Sequence, residues 1–155
     1  MIMDAHHNIN KLLQQLSAGF TAIPFNQMLG LHLDQLTPNQ VAMSFKMKNE
    51  LVGNFFYGIL HGGVISSVLD MAGGMVVMSS IIQKNPNCTV EDLSEILSKC
   101  STVDLQISYL RPGKGELFIT KAHLIKSGNK ISFARMELYN QEDILIATGN
   151  GTYSS

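Results

Sequence analysis

The chain has 155 residues, of which 45% are hydrophobic and only 15% are charged. This length suits one domain, and the composition excludes an intrinsically disordered chain, which would be poor in apolar residues and rich in net charge. The formal net charge of -1, with no block of basic residues, argues against binding to a nucleic-acid backbone.

The first predicted element is a short amphipathic helix over about residues 8–18, where four apolar side chains recur with the helical period. Pro24 and Gly30 then interrupt the chain. Two alternating segments follow, 31–36 and 41–47, and the turn residues between them predict a β-hairpin. The chain therefore begins with one helix and two strands.

A long apolar helix is predicted over residues 61–83, after a loop that leads into it. Its length and hydrophobicity raise the question of a membrane span. Asp70, together with several serines and glycines, argues against a span and favours a central helix enclosed by a sheet. Residues 85–99 then form an insertion, in which Thr89 to Asp92 is typical of a capping box that opens a short helix.

The remainder of the chain is predicted to form four strands. Glycine, proline and asparagine mark the short connections, which suit a meander of consecutive antiparallel strands. One sheet packed on one long helix is an α+β architecture, and no repeat or linker divides residues 1–155. The four predicted strands are 102–110, 117–126, 131–139 and 144–153.

Gly62 and Gly63 lie where the loop becomes the long helix. The first amide groups of a helix lack intrahelical acceptors and the helix dipole is positive there, so this end attracts negative charge. Because glycine has no Cβ, a ligand can approach the backbone, and these donors could face the oxyanion of a reacting thioester. Alternatively, the glycine pair only eases a tight turn into the helix.

Asp70 lies among apolar neighbours, where a carboxylate is costly unless something uses or satisfies it. Gly62 precedes it by eight residues, roughly 12 Å along one helix, which is too far for both groups to act on one bond. If two such helices meet across a dimer axis, Gly62 of one chain and Asp70 of the other can flank the same acyl group. Asp70 would then be a general base or a nucleophile. The alternative is a buried carboxylate bonded to backbone or serine donors.

The segment His61–Asp70 resembles the H-G-G-x6-D signature of hotdog-fold acyl-CoA thioesterases, of the phenylacetate-degradation and human thioesterase superfamily member 2 type. The similarity extends to the strand that ends at 109–112 and to the hairpin at 126–133. The resemblance implies a hotdog fold, a curved antiparallel sheet of about six strands wrapped around a long central helix. It also implies hydrolysis of an acyl-coenzyme A thioester to a free acid and coenzyme A.

The resemblance assigns catalytic roles to residues that match the family motifs. Gly62 would donate its amide to the oxyanion, Asp70 would supply the catalytic carboxylate, and His61 would shape the turn beside them. Asn54, in the preceding loop, would help to hold the water or the thioester. Thr102 would orient the attacking water, although a hydroxyl at a strand start is also an ordinary surface hydrogen-bonding group.

Other residues of these motifs are predicted to bind the acyl-CoA substrate. The basic ones could bind the phosphates of coenzyme A through charge-assisted hydrogen bonds, or could only keep the surface soluble. Coenzyme A enters as part of the substrate, so no cofactor is expected, and the histidines show no spacing that suits a metal site. The predicted substrate-binding residues are Gly63, Ser101, Arg111, Lys114, Lys126, Gly128 and Lys130.

The surplus of apolar residues predicts a homodimer or a dimer of dimers. The chain start lacks the pattern of a secretory signal, and Cys88 and Cys100 lie in one polar stretch, so we expect a cytoplasmic protein. A disulfide between the two cysteines is possible on spacing alone. Two other functions stay open: a non-catalytic module that binds or senses acyl-CoA, and a hotdog dehydratase or hydratase, which typically brings a histidine and an acid into its site.

Overall fold

The structure is a computed structural model that describes residues 2–155, with side chains from Asp4 onward. It contains a long helix packed on a six-stranded antiparallel sheet, so the predicted α+β architecture is confirmed. In chain order the elements are α1 (Ile2–Ala22), α2 (Pro24–Leu29), β1 (His32–Leu36), β2 (Gln40–Lys46), β3 (Val52–Asn54), β4 (Ile59–Leu60), α3 (Gly62–Lys84), α4 (Val90–Leu97), β5 (Thr102–Tyr109), β6 (Leu117–Ser127), β7 (Ile131–Asn140) and β8 (Leu145–Ser154).

The strands of the main sheet follow the order β1-β2-β6-β7-β8-β5, and every neighbouring pair is antiparallel. The predicted meander of four strands is wrong in its first member, because β5 pairs with β8 at the sheet edge and not with β6. Residues 110–116 are a longer crossing, in which Leu60 N–H donates to Gly113 O at 2.9 Å. Turn residues mark where a strand ends, but they do not specify which strand it pairs with.

α3 lies against the inner face of this sheet and forms the centre of the core. Val68, Leu69, Ala72 and Val76 are completely buried, and the helix contacts β2 and β5 to β8. α3 is long and apolar enough to cross a membrane by length and composition, but two thirds of its most apolar stretch is buried within the protein. Its hydrophobicity is therefore accounted for by packing under a sheet.

Four elements, α1, α2, β3 and β4, differ from the sequence-based expectation. α1 is longer than the predicted segment 8–18. Pro24 is the first residue of α2 and Gly30, with φ of 70°, ends it, so the two apparent breaks are the start and stop signals of a six-residue helix. Residues 48–60, predicted as a loop, contain β3 and β4, which are too short to show a period.

The insertion after α3 packs against the rest of the chain. The predicted capping box is confirmed, since the side chains and backbone amides of Thr89 and Asp92 bond reciprocally at the start of α4. Leu93 of α4 packs with Leu12 of α1 and Ile82 of α3 in a small second core. The insertion thereby joins the first helix to the carboxyl-terminal end of α3. Cys88, within the insertion, is a free thiol.

Candidate active site

The amino-terminal end of α3 presents one open backbone donor. His61 is the N-cap residue, and its Nδ1 accepts a hydrogen bond from Gly63 N–H at 2.8 Å. An accepting Nδ1 assigns the imidazole proton to Nε2. The amide of Gly62 has no acceptor among residues 2–155. The Gly63 amide is therefore bonded to His61, and the Gly62 amide is free to bind an anion.

Neighbouring elements hold this helix end in place. His61 N–H donates to Leu51 O at 2.8 Å, and a Cβ at Gly53 would overlap the backbone of His61, so the β3–β4 hairpin packs directly on the N-cap. On the other side, the Tyr109 hydroxyl donates to Gly62 O at 3.3 Å. The end of β5 therefore lies against the first turn of α3.

Asp70 lies at the other end of the same stretch of α3. Its Oδ1 accepts hydrogen bonds from Thr102 Oγ1 at 2.8 Å and from the Tyr153 hydroxyl at 3.2 Å. No donor within the described part of the chain reaches Oδ2. One carboxylate oxygen is therefore held by two hydroxyl groups and the other is free for a substrate or a water molecule.

The expectation that Asp70 is buried is wrong in degree. Val68 and Leu69 are fully buried, whereas Asp70 is only half-buried, because it lies on the one stripe of α3 that the sheet does not cover. Its hydrogen-bond donors also differ from the alternative considered above, since they are a threonine and a tyrosine and not backbone or serine groups. The carboxylate is both held and reachable.

Tyr153 contacts the candidate carboxylate, and sequence reasoning missed it. Only 1% of it is exposed, and its hydroxyl lies 3.2 Å from both Oδ1 and the backbone oxygen of Asp70. Burial raises the pKa of Tyr153 strongly, and the negative charge of Asp70 raises it further. The hydroxyl therefore stays protonated and is a donor. A weak signal was present, since Gly149, Gly151 and Tyr153 alternate on the inner face of β8 and leave room for the ring.

A small apolar cavity adjoins Asp70, with a volume of about 180 Å³. Asp70, Gly74 and Met78 line it at four-residue spacing, so it follows one face of α3. Burial raises the pKa of the Cys100 thiol in its wall to about 11, so this thiol is uncharged at neutral pH. The remaining lining residues are Ile23, Met71, Met75, Ser101, Thr102 and Tyr153.

A larger groove of about 670 Å³ lies elsewhere, around Arg111 and Lys114. Glu116 and Glu142 also line it, so its charge is mixed. Neither Asp70 nor the helix end at Gly62 lines this groove. Since it lacks both reactive groups, the smaller cavity beside Asp70 is the better candidate for the reacting part of a substrate.

Strand β5 connects the two reactive regions within one chain. Thr102, its first residue, bonds to Asp70, and Tyr109, its last residue, bonds to Gly62. α3 separates Gly62 and Asp70 by roughly 12 Å, and neither the cavity beside Asp70 nor the groove around Arg111 is lined by both.

Asn54 lies at the end of β3, where its Oδ1 accepts from Phe56 N–H at 3.1 Å. It therefore closes the turn at the tip of the β3–β4 hairpin. Ser101 lines the cavity beside Asp70, and its Oγ lies 3.0 Å from Ser154 Oγ. Arg111 lies past the Gly62 end of β5 and donates to Leu145 O at 2.9 Å. Their roles toward a substrate stay predictions.

The predicted substrate-binding residues of the β6–β7 hairpin lie apart from Gly62. Gly128 O accepts from Lys84 Nζ at 2.9 Å, which places the hairpin beside the carboxyl-terminal end of α3. Lys126 is exposed on β6, and Lys130 O accepts from Ser155 N–H at 2.9 Å, just past the end of β8. In one chain the predicted substrate-binding residues of this hairpin are therefore nearer to Asp70 and Tyr153 than to Gly62.

No group of three or more histidine, cysteine, aspartate or glutamate side chains is arranged to hold a metal ion in the stretch that the structure covers. The residues brought together at Asp70 are hydroxyl and carboxyl groups beside an apolar cavity. This set suits acid–base or nucleophilic chemistry on an apolar substrate.

Comparison with known proteins gives a consistent result. The sequence profile of the thioesterase superfamily matches residues 57–147, more than half of the chain. The chain is 40% identical over 131 residues to the medium/long-chain acyl-CoA thioesterase YigI of Escherichia coli (strain K12), covering 84% of each protein. It is 28% identical over 144 residues to human acyl-coenzyme A thioesterase 13, covering 91% of each.

Solved structures agree with these sequence matches. The crystal structure of a Shewanella oneidensis protein related to the thioesterase superfamily superimposes with a TM-score of 0.90 at 36% sequence identity. The match covers 94% of this chain and 96% of that one. The similarity therefore spans nearly the whole of both chains.

Proposed function

The chain belongs to the thioesterase superfamily, and from that premise we propose that it hydrolyses acyl-coenzyme A thioesters at a site built from two copies of the chain. The family resemblance of segment 61–70 and the hotdog fold that it implied are confirmed. Relatives named as acyl-CoA thioesterases support thioester hydrolysis as the reaction. The residues that perform it are the subject of the proposal.

The proposed two-copy site depends on the position of β5 at the edge of the sheet. β5 is an edge strand, so its outer backbone groups can pair with another strand. If two β5 strands pair antiparallel about a two-fold axis at the middle of the strand, Thr102 of one chain lies opposite Tyr109 of the other. Since Thr102 contacts Asp70 and Tyr109 contacts Gly62, this pairing brings Asp70 of one chain to Gly62 of the partner subunit.

The open stripe of α3 fits the same axis. Ser66 lies midway between Gly62 and Asp70, and the other stripe residues near it, Gly63 and Ser67, are also small. Small side chains let a second α3 approach closely. An antiparallel pair of α3 helices that crosses at Ser66 places Gly62 opposite Asp70, as the β5 pairing does.

Exposed apolar residues on this side of the molecule support association. On β5, Val103 and Tyr109 are more than half exposed. At the tip of the β3–β4 hairpin, Phe55, Phe56 and Tyr57 are 83%, 79% and 75% exposed. A soluble chain that presents such a surface tends to cover it with a partner. We therefore propose a homodimer, or a dimer of two such dimers.

In this assembly the two free groups have complementary tasks. Asp70 Oδ2 either takes a proton from the water that attacks the thioester carbonyl, or attacks the carbonyl carbon itself to form an anhydride that water then opens. In both routes Gly62 N–H of the partner subunit donates to the carbonyl oxygen as it becomes negative. The carbon–sulfur bond breaks, the thiolate of coenzyme A takes up a proton that came from the water, and the acid leaves.

The cavity beside Asp70 is the proposed binding place for the acyl chain. An apolar protein cavity of about 150 Å³ holds one benzene-sized molecule, so the cavity of about 180 Å³ can enclose roughly six carbons. Three of its ten lining residues are methionines, and methionine adapts to flexible chains. The name of YigI supports medium- to long-chain acyl groups as the substrate class, and the cavity would then hold only part of such a chain.

The basic residues predicted for coenzyme A converge on this site from both chains. Arg111 and Lys114 lie past the Tyr109 end of β5, so those of the partner subunit accompany its Gly62. Lys126 and Lys130 lie on the Tyr153 side of the chain that supplies Asp70. Either group can contact phosphates at the rim of the site. We place the reaction in the cytoplasm.

Two other functions make different predictions. A dehydratase needs a histidine beside an acid, but His61 Nδ1 is bonded to Gly63 N–H as a helix cap. A binding or sensing module needs no free carboxylate oxygen, whereas Asp70 Oδ2 is unpartnered within residues 2–155. Both observations favour hydrolysis.

The deciding experiment supplies purified protein with acyl-CoA substrates of different chain length and detects the released thiol. We expect hydrolysis by the wild type and its loss in Asp70→Asn, with thermal stability retained. Thermal stabilisation by acyl-CoA without release of thiol would instead identify a binding module. Full hydrolysis by Asp70→Asn would refute the proposed role of the carboxylate.

A further inference from the structure

Tyr153 occupies a slot that two glycines create. A Cβ at Gly73 of α3 would overlap the Tyr153 hydroxyl oxygen and ring, and a Cβ at Gly151 of β8 would overlap the same ring. Both positions therefore require glycine as long as the ring stays where it is. The slot lies directly beside Asp70, and the ring also forms part of the cavity wall.

Core packing alone does not explain a tyrosine here. A phenylalanine would fill the same slot and would not bury a hydroxyl group, which costs free energy unless the group is hydrogen-bonded. Within the part of the chain that the structure describes, the Tyr153 hydroxyl bonds only to Asp70, through Oδ1 and the backbone oxygen, each at 3.2 Å. The buried hydroxyl is thus paired with the carboxylate to which we assign the reaction.

We propose that Tyr153 is a positioning residue, which together with Thr102 fixes Asp70 Oδ1 and so directs Oδ2 toward the thioester. This inference rests on the proposed function of Asp70. A carboxylate held by one donor can still turn about that bond, whereas two donors from different strands define its plane. Placement of the reacting group within a fraction of an ångström has a large effect on rate.

The two donors differ in their surroundings. In one chain Thr102 is exposed at the start of β5, and in the proposed dimer it lies at the end of the β5–β5 pairing. Tyr153 is buried within each chain, so its hydrogen bond is shielded from water with or without a partner subunit. Tyr153 therefore contributes more to the orientation of Asp70 than its longer distance alone suggests.

The test is Tyr153→Phe, which removes the hydroxyl and keeps the ring in its slot. We expect kcat to fall by roughly tenfold to a hundredfold while KM changes by less than about threefold, because the cavity wall is retained. The matched control is Tyr139→Phe. The Tyr139 hydroxyl also donates to a carboxylate, Glu137 Oε2 at 2.7 Å. Tyr139 lies near the end of β7, whereas Tyr153 pairs with the start of that strand. Removal of the Tyr139 hydroxyl should therefore leave kcat unchanged.

Thr102→Val keeps the inference testable if Tyr153→Phe folds poorly. It removes the other donor, and we expect less than about a tenfold loss of kcat, since Tyr153 still holds Oδ1. If Tyr153→Phe folds well, the double variant loses both donors, and its fall in kcat should exceed the product of the two single falls. A Thr102→Val enzyme as inactive as Asp70→Asn would show that Tyr153 does not hold the carboxylate.

The outcomes separate this inference from the proposed function. If Asp70→Asn abolishes hydrolysis but folded Tyr153→Phe retains the wild-type kcat, the positioning role is wrong and the proposed function stands. If Asp70→Asn is fully active, the proposed function fails. A loss of melting temperature in Tyr153→Phe with kcat unchanged would likewise assign Tyr153 to packing alone.

Discussion

The Tyr109 hydroxyl lies 3.3 Å from the backbone oxygen of Gly62, so the last residue of β5 touches the first residue of α3. Thr102, at the opposite end of β5, donates a hydrogen bond to the carboxylate oxygen Oδ1 of Asp70. One edge strand therefore spans the two halves of the proposed site. A two-fold pairing of this strand is the simplest way to bring both halves together.

Replacing Gly62 by proline tests the oxyanion donor with little change to the helix. Proline is favoured at the first position of a helix and lacks an N–H group, and His61 has the extended backbone that a residue before proline requires, with ψ of 136°. We expect Gly62→Pro to lower kcat by roughly 10² to 10³.

The control for this variant is Gly62→Ala, which keeps the amide. Its Cβ would lie 3.4 Å from the Tyr109 ring, an ordinary contact, so it should reduce kcat far less than proline does. Steady-state hydrolysis of one acyl-CoA by both variants makes the comparison. Equal loss in both would mean that the space at Gly62, and not its N–H group, matters.

Gly74 and Met78 should set the acyl chain length that the cavity accepts. Both residues line the cavity on the same face of α3 as Asp70. Gly74→Val should therefore narrow the cavity, and Met78→Ala should lengthen it. We expect the chain length of maximal kcat/KM to become shorter in Gly74→Val and longer in Met78→Ala. A chain-length series measures this, and an unchanged optimum in both variants would place the acyl chain elsewhere.

The adjacent glycines Gly73 and Gly74 should respond oppositely to alanine. A Cβ at Gly74 meets only a Tyr153 ring atom, at 3.8 Å, so Gly74→Ala should stabilise the protein by about 0.5–1 kcal/mol through helix propensity. A Cβ at Gly73 would overlap the Tyr153 hydroxyl, so Gly73→Ala should destabilise by about 1–3 kcal/mol. Urea unfolding of both variants checks the prediction, and similar effects would contradict the slot around Tyr153.

Cys100 should make stability fall at alkaline pH. Burial raises the pKa of its thiol to about 11, while an unfolded cysteine ionises near pH 8.5, at roughly its ordinary value. As the pH rises, the thiol therefore loses its proton in the unfolded state first. The contribution of Cys100 to the free energy of unfolding is complete below about pH 8.5 and is lost as the pH rises toward about 11. Comparison of urea unfolding for the wild type and Cys100→Ala between these pH values tests this. Parallel pH curves for the two proteins would argue against a buried thiol.

The sequence predicted those parts of the site that lie close together along the chain. The segment from His61 to Asp70 contains the helix cap, the open amide and the carboxylate within ten residues, and its spacing led to the family. The hairpins that join β6, β7 and β8 are equally local, and they were predicted from their turn residues.

The parts that escaped prediction depend on contacts between distant residues. Tyr153 is 83 residues from Asp70, so no motif spacing links the two. The pairing of β5 with β8 and the partial exposure of Asp70 follow from the sheet order, which short turns do not encode. A second copy of the chain is a further step, for which the sequence offered only a surplus of apolar residues and the Gly62–Asp70 distance.

The most direct test of the two-copy site mixes two inactive variants. In a dimer of one Asp70→Asn chain and one Gly62→Pro chain, one of the two sites receives its intact Gly62 from the first chain and its intact Asp70 from the second. After complete subunit exchange of equal amounts, we predict that about one quarter of the wild-type activity returns, because half of the dimers are mixed and each has one intact site. If mixed dimers form but show no activity above that of the separate variants, Gly62 and Asp70 do not meet across the subunits and the proposed site is wrong.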